Sequence, residues 1–398
     1  MKIHSKWERN LKVMKILFYD MGAYNQKDIE YSLQKMGISC KSILYKLENI
    51  YEDNYFEKKV TLLLNAENYS AVFSVNYYPI LADICHGLEL PYLSWSYDSP
   101  LNIHRIEETL GYRTNYVFFF DRAECEKYWN KGYENVFHLP LAVNTDRLDE
   151  ILITNQDRYK YAADISMVGQ LYDGSLPALM APMGEFEKGY ITALIETQMR
   201  LYGCYFLEEM ISEELLGRIN QAYAKFGQNK LKLTKDGLIV SVAKHITHME
   251  RTLLLEILGE MYSVHLYGPD KGEKLSGVTW HGSAGYFDEM PKIFKLSKVN
   301  LNVSLKCIQS GIPLRAIDIM GCGGFLLTNY QPEIAEHFVD GEELVMYTSL
   351  EDAVAKCNYY LEHEDERIEI AKKGYLKVQS MFQYEDRLSA MLQVAGLL

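Results

Sequence analysis

The sequence predicts an α/β protein built from two doubly wound, parallel-sheet domains. Three observations carry this. The chain has 398 residues, more than one hydrophobic core usually serves. Short apolar runs alternate with longer amphipathic stretches, the rhythm of strand, helix, strand. Runs such as 72–75 and 117–120 are apolar at consecutive positions, as in strands covered by helices on both faces.

In the first half, residues 15–19, 39–44, 71–75, 92–95, 116–120 and 136–139 read as strands. Amphipathic stretches at 27–36 and 55–66 read as helices between them. In the second half the strands are 164–168, 238–242, 264–267, 278–280, 299–303, 325–328 and 344–347. Between the first two of these, residues 175–235 read as a helical insertion within the second domain. Its apolar positions recur at three and four, as in Ile191, Leu194, Ile195, Met199 and Tyr202. The polar stretch 144–161 marks the boundary, with domains at 14–150 and 160–383 and an amphipathic final helix at 384–398. Met14 opens a second plausible start, so residues 1–13 read as a tail.

Composition narrows the function. Hydrophobic residues make up 48% and charged residues 24%, the balance of an ordinary globular protein. A net charge of −13 argues against a nucleic-acid partner or a broad anionic membrane surface. Seven dispersed cysteines form no C-x-x-C pair, which fits a reducing cytoplasm better than a disulfide framework or a zinc site. No apolar run reaches the length of a membrane span, and the first residues lack the apolar core of a signal peptide.

Ligands in open α/β sheets bind at the carboxyl ends of the strands, so the residues after each strand hold the candidate chemistry. After the first strand only Gly22 is present where a dinucleotide fingerprint needs G-x-G-x-x-G. That disfavours a nicotinamide dehydrogenase, and the lack of G-x-x-x-x-G-K-[ST] removes the P-loop nucleotidases. Gly22 serves either a simple turn or a close approach of backbone to ligand. After the fourth strand comes the turn Ser96-Tyr97-Asp98-Ser99-Pro100. Asp98 there suits a general base or an anchor for a substrate hydroxyl; a helix cap is the alternative. His104 is a weaker candidate one short turn later. In the second domain, strand ends carry Gly169, Gly268, and His281 with Gly282, consistent with close backbone approach to a ligand. His281 suits a base or phosphate contact, or is simply an edge histidine. Lys306 adds charge near the same rim or is solvated. No D-x-D pair or Cys/His cluster with metal spacing occurs, so no metal site is expected.

Residues 310–329, SGIPLRAIDIMGCGGFLLTN, read as loop, helix, glycine pair and strand. A helix start after a glycine-containing turn offers backbone N–H groups and a positive dipole end to a phosphate. Ser310, Gly311 and Ile312 form that turn. Arg315 can bind phosphate through two hydrogen bonds, and Asp318, three positions on, can accept from a ribose diol. An ordinary αβ unit with a glycine cap has the same spacing.

These residues resemble the GT-B glycosyltransferases with a family 1/4-like carboxyl-terminal domain, particularly a spore-maturation-type branch. The likeness runs through Val168-Gly169, ITHMERTLLLEILG (246–259), HLYGPD, WHG, LSKVNLNVSL (296–305), the segment 310–329 and residues 342–375, with SWSYDSP (94–100) in the first half. The resemblance implies two Rossmann-like domains facing a cleft, with a nucleotide-sugar donor, a UDP-sugar, on the second domain. It implies a protein or glycan acceptor on the first, a final helix packing back onto that domain, and no cofactor or metal. Related retaining enzymes carry two glutamates eight positions apart here. Asp318 occupies the second position and Ser310 the first, so the resemblance assigns neither the usual sugar contact nor a retaining outcome. Two further readings stay open: a nucleotide-sugar epimerase on the same frame, and a non-catalytic nucleotide-sugar-binding subunit.

Overall fold

A computed structural model describes residues 14–172, 174, 176–225, 232–270 and 275–398. The expected tail at 1–13, the first residue of the expected insertion and residues 226–231 within it lie outside the described residues. The chain forms two compact units. One comprises the described residues up to Asn144 together with Gln379–Leu398; the other is Thr145–Val378.

The first unit holds β1 (Lys15–Asp20), β2 (Ser39–Leu44), β3 (Ala71–Val75), β4 (Tyr92–Ser96), β5 (Asn115–Phe119) and β6 (Val136–His138). They form one parallel sheet in the order β2-β1-β3-β4-β5-β6. β3 and β4 are buried along their whole length, because helices cover both faces. The last helix, Tyr384–Val394, belongs to this unit. It buries Tyr384, Leu388, Met391 and Leu392, each burial contributing roughly 1.5–3 kcal/mol. The Tyr384 ring meets Trp95 edge-on at 6.0 Å, and Arg387 Nε donates to the Pro140 carbonyl at 3.0 Å.

The second unit holds β7 (Ala163–Val168), β8 (Val264–Tyr267), β9 (Val278–Trp280), β10 (Ser297–Asn302), β11 (Leu326–Asn329) and β12 (Val345–Tyr347). All pairs are parallel, in the order β12-β11-β10-β7-β8-β9. Two doubly wound parallel sheets are therefore present, as expected. One expected strand is not. Residues 238–242 lie inside the helix Lys235–Gly259. The run Leu-Ile-Val-Ser-Val is β-branched and apolar, which mimics a buried strand. Over a longer window, however, the buried positions Leu238, Ile239, Val242, Ala243 and Ile246 follow helical spacing. Thr234 caps the helix by accepting from Gly237 N at 3.1 Å. The segment 310–329 consequently follows the fourth strand of its sheet, not the fifth.

Within the described part of the expected insertion, helices run Leu176–Met180, Glu185–Met199, Leu207–Met210 and Glu213–Lys225. They bury Ile191, Leu207, Ile219 and Tyr223 in a cluster of their own, closed by Leu238 and Val242.

One buried carboxyl beneath the β4 exit has a measurable consequence. Glu124 is 4% exposed and accepts from Leu101 N at 2.9 Å. The Ser99 hydroxyl lies 3.0 Å from Glu124 Oε2 and 2.9 Å from Asp121 Oδ2. Burial pushes the Glu124 carboxyl up to about 7, and the Asp121 charge adds to this. A raised folded-state pKa means stability fully present below the unfolded value and lost as pH rises through about 7. We expect wild-type stability to fall by up to about 3 kcal/mol between pH 5 and 8. Glu124→Gln keeps the acceptor for Leu101 and an N–H donor, and it should flatten that dependence. Melting curves across this range, unchanged between the two proteins, would refute it.

Candidate functional site

Strand order reverses in the second sheet between β7 and β10, which opens a crevice at their carboxyl ends. Arg251, from the middle of the helix Lys235–Gly259, fills its floor. Its Nε donates to the Val303 carbonyl at 3.1 Å, its Nη2 to the same oxygen, and its Nη1 to the Gln170 carbonyl. The guanidinium thus ties together the chain leaving β7 and the chain leaving β10. Burial pulls its pKa below the ordinary arginine value. One residue earlier on the helix, Glu250 pairs with Lys306 at 2.8 Å, and a turn earlier Thr247 Oγ1 accepts from Lys306 N at 2.9 Å. Glu250 is buried and the Lys306 side chain is 10% exposed, with its ammonium 4.3 Å from the Tyr202 ring centroid. Lys306 is therefore held by an ion pair and ties the β10 exit to the helix below. Asn329 at the end of β11 accepts from Ser304 N at 2.7 Å and fixes the same loop from the other side.

The loop Ser310-Gly311-Ile312 follows. Ser310 Oγ donates to Glu333 Oε1 at 2.7 Å, and Glu333 N donates to the Ser310 carbonyl at 3.1 Å. Glu333 is fully buried, near the start of the helix Pro332–His337. Gly311 and Ile312 are buried, and Pro313 caps the helix Leu314–Gly321. Arg315 and Asp318 share one face of it, with Nη1 3.6 Å from Oδ2. Asp318 is 3% exposed and accepts from the Tyr286 hydroxyl at 3.2 Å. The Arg315 side chain is 28% exposed and lies over the Phe294 ring, 5.6 Å from its centroid. The helix ends in a left-handed Gly323 at φ 71°, with Gly324 N closing back on the Ile319 carbonyl. This is the glycine stop expected from the sequence.

The strand-end glycines serve protein contacts. A Cβ on Gly169 would stand 3.2 Å from Arg251 Nη1, and one on Gly268 only 2.3 Å from the Gly169 carbonyl oxygen. Their bareness lets the ends of β7 and β8 close over the arginine. His281 stacks on Tyr267 at 4.7 Å and 11° between planes. It is exposed, and partial burial lowers its pKa. Gly282 next to it adopts φ 79° and accepts from Gly268 N at 2.9 Å.

In the first unit, order reverses between β1 and β3. Asn76 leaves β3 at φ 61°, a conformation costing a non-glycine residue roughly 1–2 kcal/mol. Its backbone is held by Asn76 N to the Trp95 carbonyl at 2.8 Å and by Ser74 Oγ to the Asn76 carbonyl at 2.6 Å. Its Nδ2 donates to Asp98 Oδ2 at 2.7 Å, while its Oδ1 accepts from Tyr97 N at 2.8 Å. Asp98 is exposed and caps no helix; the next one, Glu107–Leu110, has Ile106 as its cap. Gly22 forms a simple turn at φ 87°, its N–H donating to Asp20 Oδ1 at 2.7 Å. His104 is exposed, and its carbonyl accepts from the Tyr51 hydroxyl.

The second unit thus brings Ser310, Gly311, Ile312, Arg315 and Asp318 into one continuous loop and helix. Arg251, Glu250 and Glu333 went unread in the sequence. The first two sit mid-helix in a stretch whose beginning looks like strand, and Glu333 hides behind Pro332 at a helix start. Comparison with solved structures aligns both units at once. Anabaena HepE in complex with UDP-glucose is 12% identical, covering 97% of this chain and 100% of its own, with a TM-score of 0.55. Sucrose-phosphate synthase from Thermosynechococcus elongatus is also 12% identical, covering 96% and 98%, with a TM-score of 0.56. The fold is GT-B. A UDP-forming trehalose-phosphate synthase from Burkholderia xenovorans adds a third such neighbour at 10% identity, 96% and 99% coverage and a TM-score of 0.53. Residues 249–393 of this GT-B chain match the family described as glycosyl transferase-like. No curated protein matches its sequence. No helix among the described residues is long and apolar enough to cross a membrane.

Proposed function

We propose that the chain is a glycosyltransferase that moves a sugar from a UDP-sugar to an acceptor hydroxyl on a protein or glycan. The observation that carries this is Arg315, half-exposed behind the Gly311–Ile312 turn at the carboxyl end of a Rossmann-ordered sheet, one turn before a buried carboxylate. The glycosyl transferase-like match over 249–393 and the UDP-glucose bound by the Anabaena neighbour support the same reading. In the reaction the acceptor oxygen bonds to the sugar anomeric carbon as its bond to the diphosphate breaks, and the nucleoside diphosphate departs. Arg315 and the loop amides neutralise the charge that builds on the leaving oxygen. Asp318 accepts from the ribose diol. Asp98 takes the acceptor proton or anchors the acceptor, and Asn76 aims it. The chain has no D-x-D pair, so turnover should survive chelation of divalent ions.

The test is incubation with UDP-glucose and with UDP-N-acetylglucosamine, with and without candidate peptide or glycan acceptors. UDP release that depends on acceptor supports transfer. An epimerised donor formed without acceptor, or UDP binding with no turnover under any condition, would replace it. Asn76→Ala frees Asp98 while leaving the donor loop intact. It should lower kcat about tenfold, the loss of one hydrogen bond to a charged group, with UDP affinity unchanged. An equal loss of UDP affinity would remove Asp98 from the acceptor side.

A further inference from the structure

The second unit contains another cavity, at the opposite end of the sheet from the loop 310–313. It measures about 510 Å³, within the range of small-molecule sites. Its walls are the first residues of β10, the glycine pair ahead of β11 and one face of the helix Glu364–Met381. In a chain with net charge −13, this lining is basic. Lys295, Lys298, Arg367 and Lys372 face a single carboxylate, Asp149, which accepts from Tyr375 Oη at 2.6 Å.

The partners of these cations decide how much charge is left for a ligand. Lys298 is matched by Asp164 at 2.8 Å. Lys295 donates to the Leu148 carbonyl at 2.6 Å and Arg367 to the Tyr360 carbonyl at 2.6 Å. Those are neutral acceptors and leave the Lys295 charge uncancelled, while Arg367 has an exposed Glu364 at 3.7 Å and feels the Asp164 carboxylate as well. Lys372 is exposed and has no ion pair among the described residues. Complementing the helix ends at Leu296 and Gly321 takes up part of this charge, but neither end requires a cavity. Ser297 also lines it, is only 7% exposed, and its hydroxyl has no hydrogen-bond partner among the described residues. Phe294, Ile368 and Ala371 give the remaining wall an apolar surface.

We propose that this cavity binds a small phosphate-bearing molecule, its phosphate held by Lys295, Lys372 and Arg367 and its remaining body lying on the apolar wall. The site is separate from the donor loop. The eight-residue helix Leu314–Gly321 runs from one to the other and spans about 12 Å.

Titration calorimetry with inorganic pyrophosphate tests it, on the full chain carrying Arg315→Ala so that the donor loop does not contribute. One equivalent should bind. Adding Lys295→Gln and Lys372→Gln should weaken binding at least tenfold, with the melting temperature of the unliganded protein held as evidence of folding. Lys298→Gln, whose charge is already matched, should change affinity less than threefold. Citrate should bind at least tenfold more weakly than pyrophosphate. No binding at millimolar pyrophosphate, binding indifferent to the double substitution, or citrate equal to pyrophosphate would each overturn the proposal. A failure of UDP-sugar transfer would leave these outcomes unaffected.

Discussion

Arg315→Ala should weaken UDP binding and lower kcat/KM about 100-fold in a protein that still folds. Two charge-assisted hydrogen bonds from a guanidinium to a diphosphate are together worth about 3 kcal/mol, and about 1.4 kcal/mol corresponds to a factor of ten. A ligand can reach the residue: its side chain is 28% exposed, and Asp318, 3.6 Å away, leaves other guanidinium donors available. Removing it also leaves the buried Asp318 without a cation one turn back, which adds repulsion toward the phosphates and deepens the loss. Arg315→Lys restores charge without the planar pair of donors, so it should recover less than half of the lost binding energy. Calorimetry with UDP and steady-state kinetics on the three proteins read this directly. Equal UDP affinity in the alanine variant would remove Arg315 from the diphosphate site and take the donor assignment of the loop with it.

Arg315 and Asp318 were legible because helical spacing at three fixes them on one face whatever surrounds the helix. The glycine stop at 323–324 was legible for a similar local reason. Most strand positions follow from apolar runs bounded by turns, and β10 was found despite Asn300 and Asn302. Those two amides are satisfied inside the sheet, Asn300 by Ser166 Oγ and the Phe294 carbonyl and Asn302 by Thr328 Oγ1. Nonlocal partners were not legible. Lys306 looks like any surface lysine until the helix Lys235–Gly259 sets Glu250 against it. Ser310 looks like a gap in a motif until Glu333, 23 residues later, reaches its hydroxyl. Asp98 gave a correct turn but not its partner, since Asn76 comes from a different strand. Gly169 and Gly268 looked ligand-facing, because a missing side chain does not say whether it makes room for a ligand or for another part of the protein.

Arg251 makes room for that last point to be tested. Arg251→Met should destabilise the second unit by about 3 kcal/mol. Methionine fills comparable volume but donates nothing, so the Gln170 and Val303 carbonyls lose their buried donor, at roughly 1–3 kcal/mol for each unsatisfied group. Removing a guanidinium whose charged form burial already disfavours recovers part of that, because a buried charge carries a desolvation penalty. Glu250 does not reverse the balance, since Lys306 still neutralises it at 2.8 Å. For a unit of this size, about 3 kcal/mol lowers the melting temperature by roughly 6–12 °C. Arg251→Lys keeps the charge but reaches one carbonyl, so it should fall between methionine and the wild type. Because the guanidinium bridges the exits of β7 and β10, the loss should appear as faster amide exchange in those strands, with β1 and β3 of the first unit retaining their protection. A variant that melts like the wild type would mean that the two strand ends hold their carbonyls by other means. Uniform loss of protection in both sheets would mean instead that the units unfold as one.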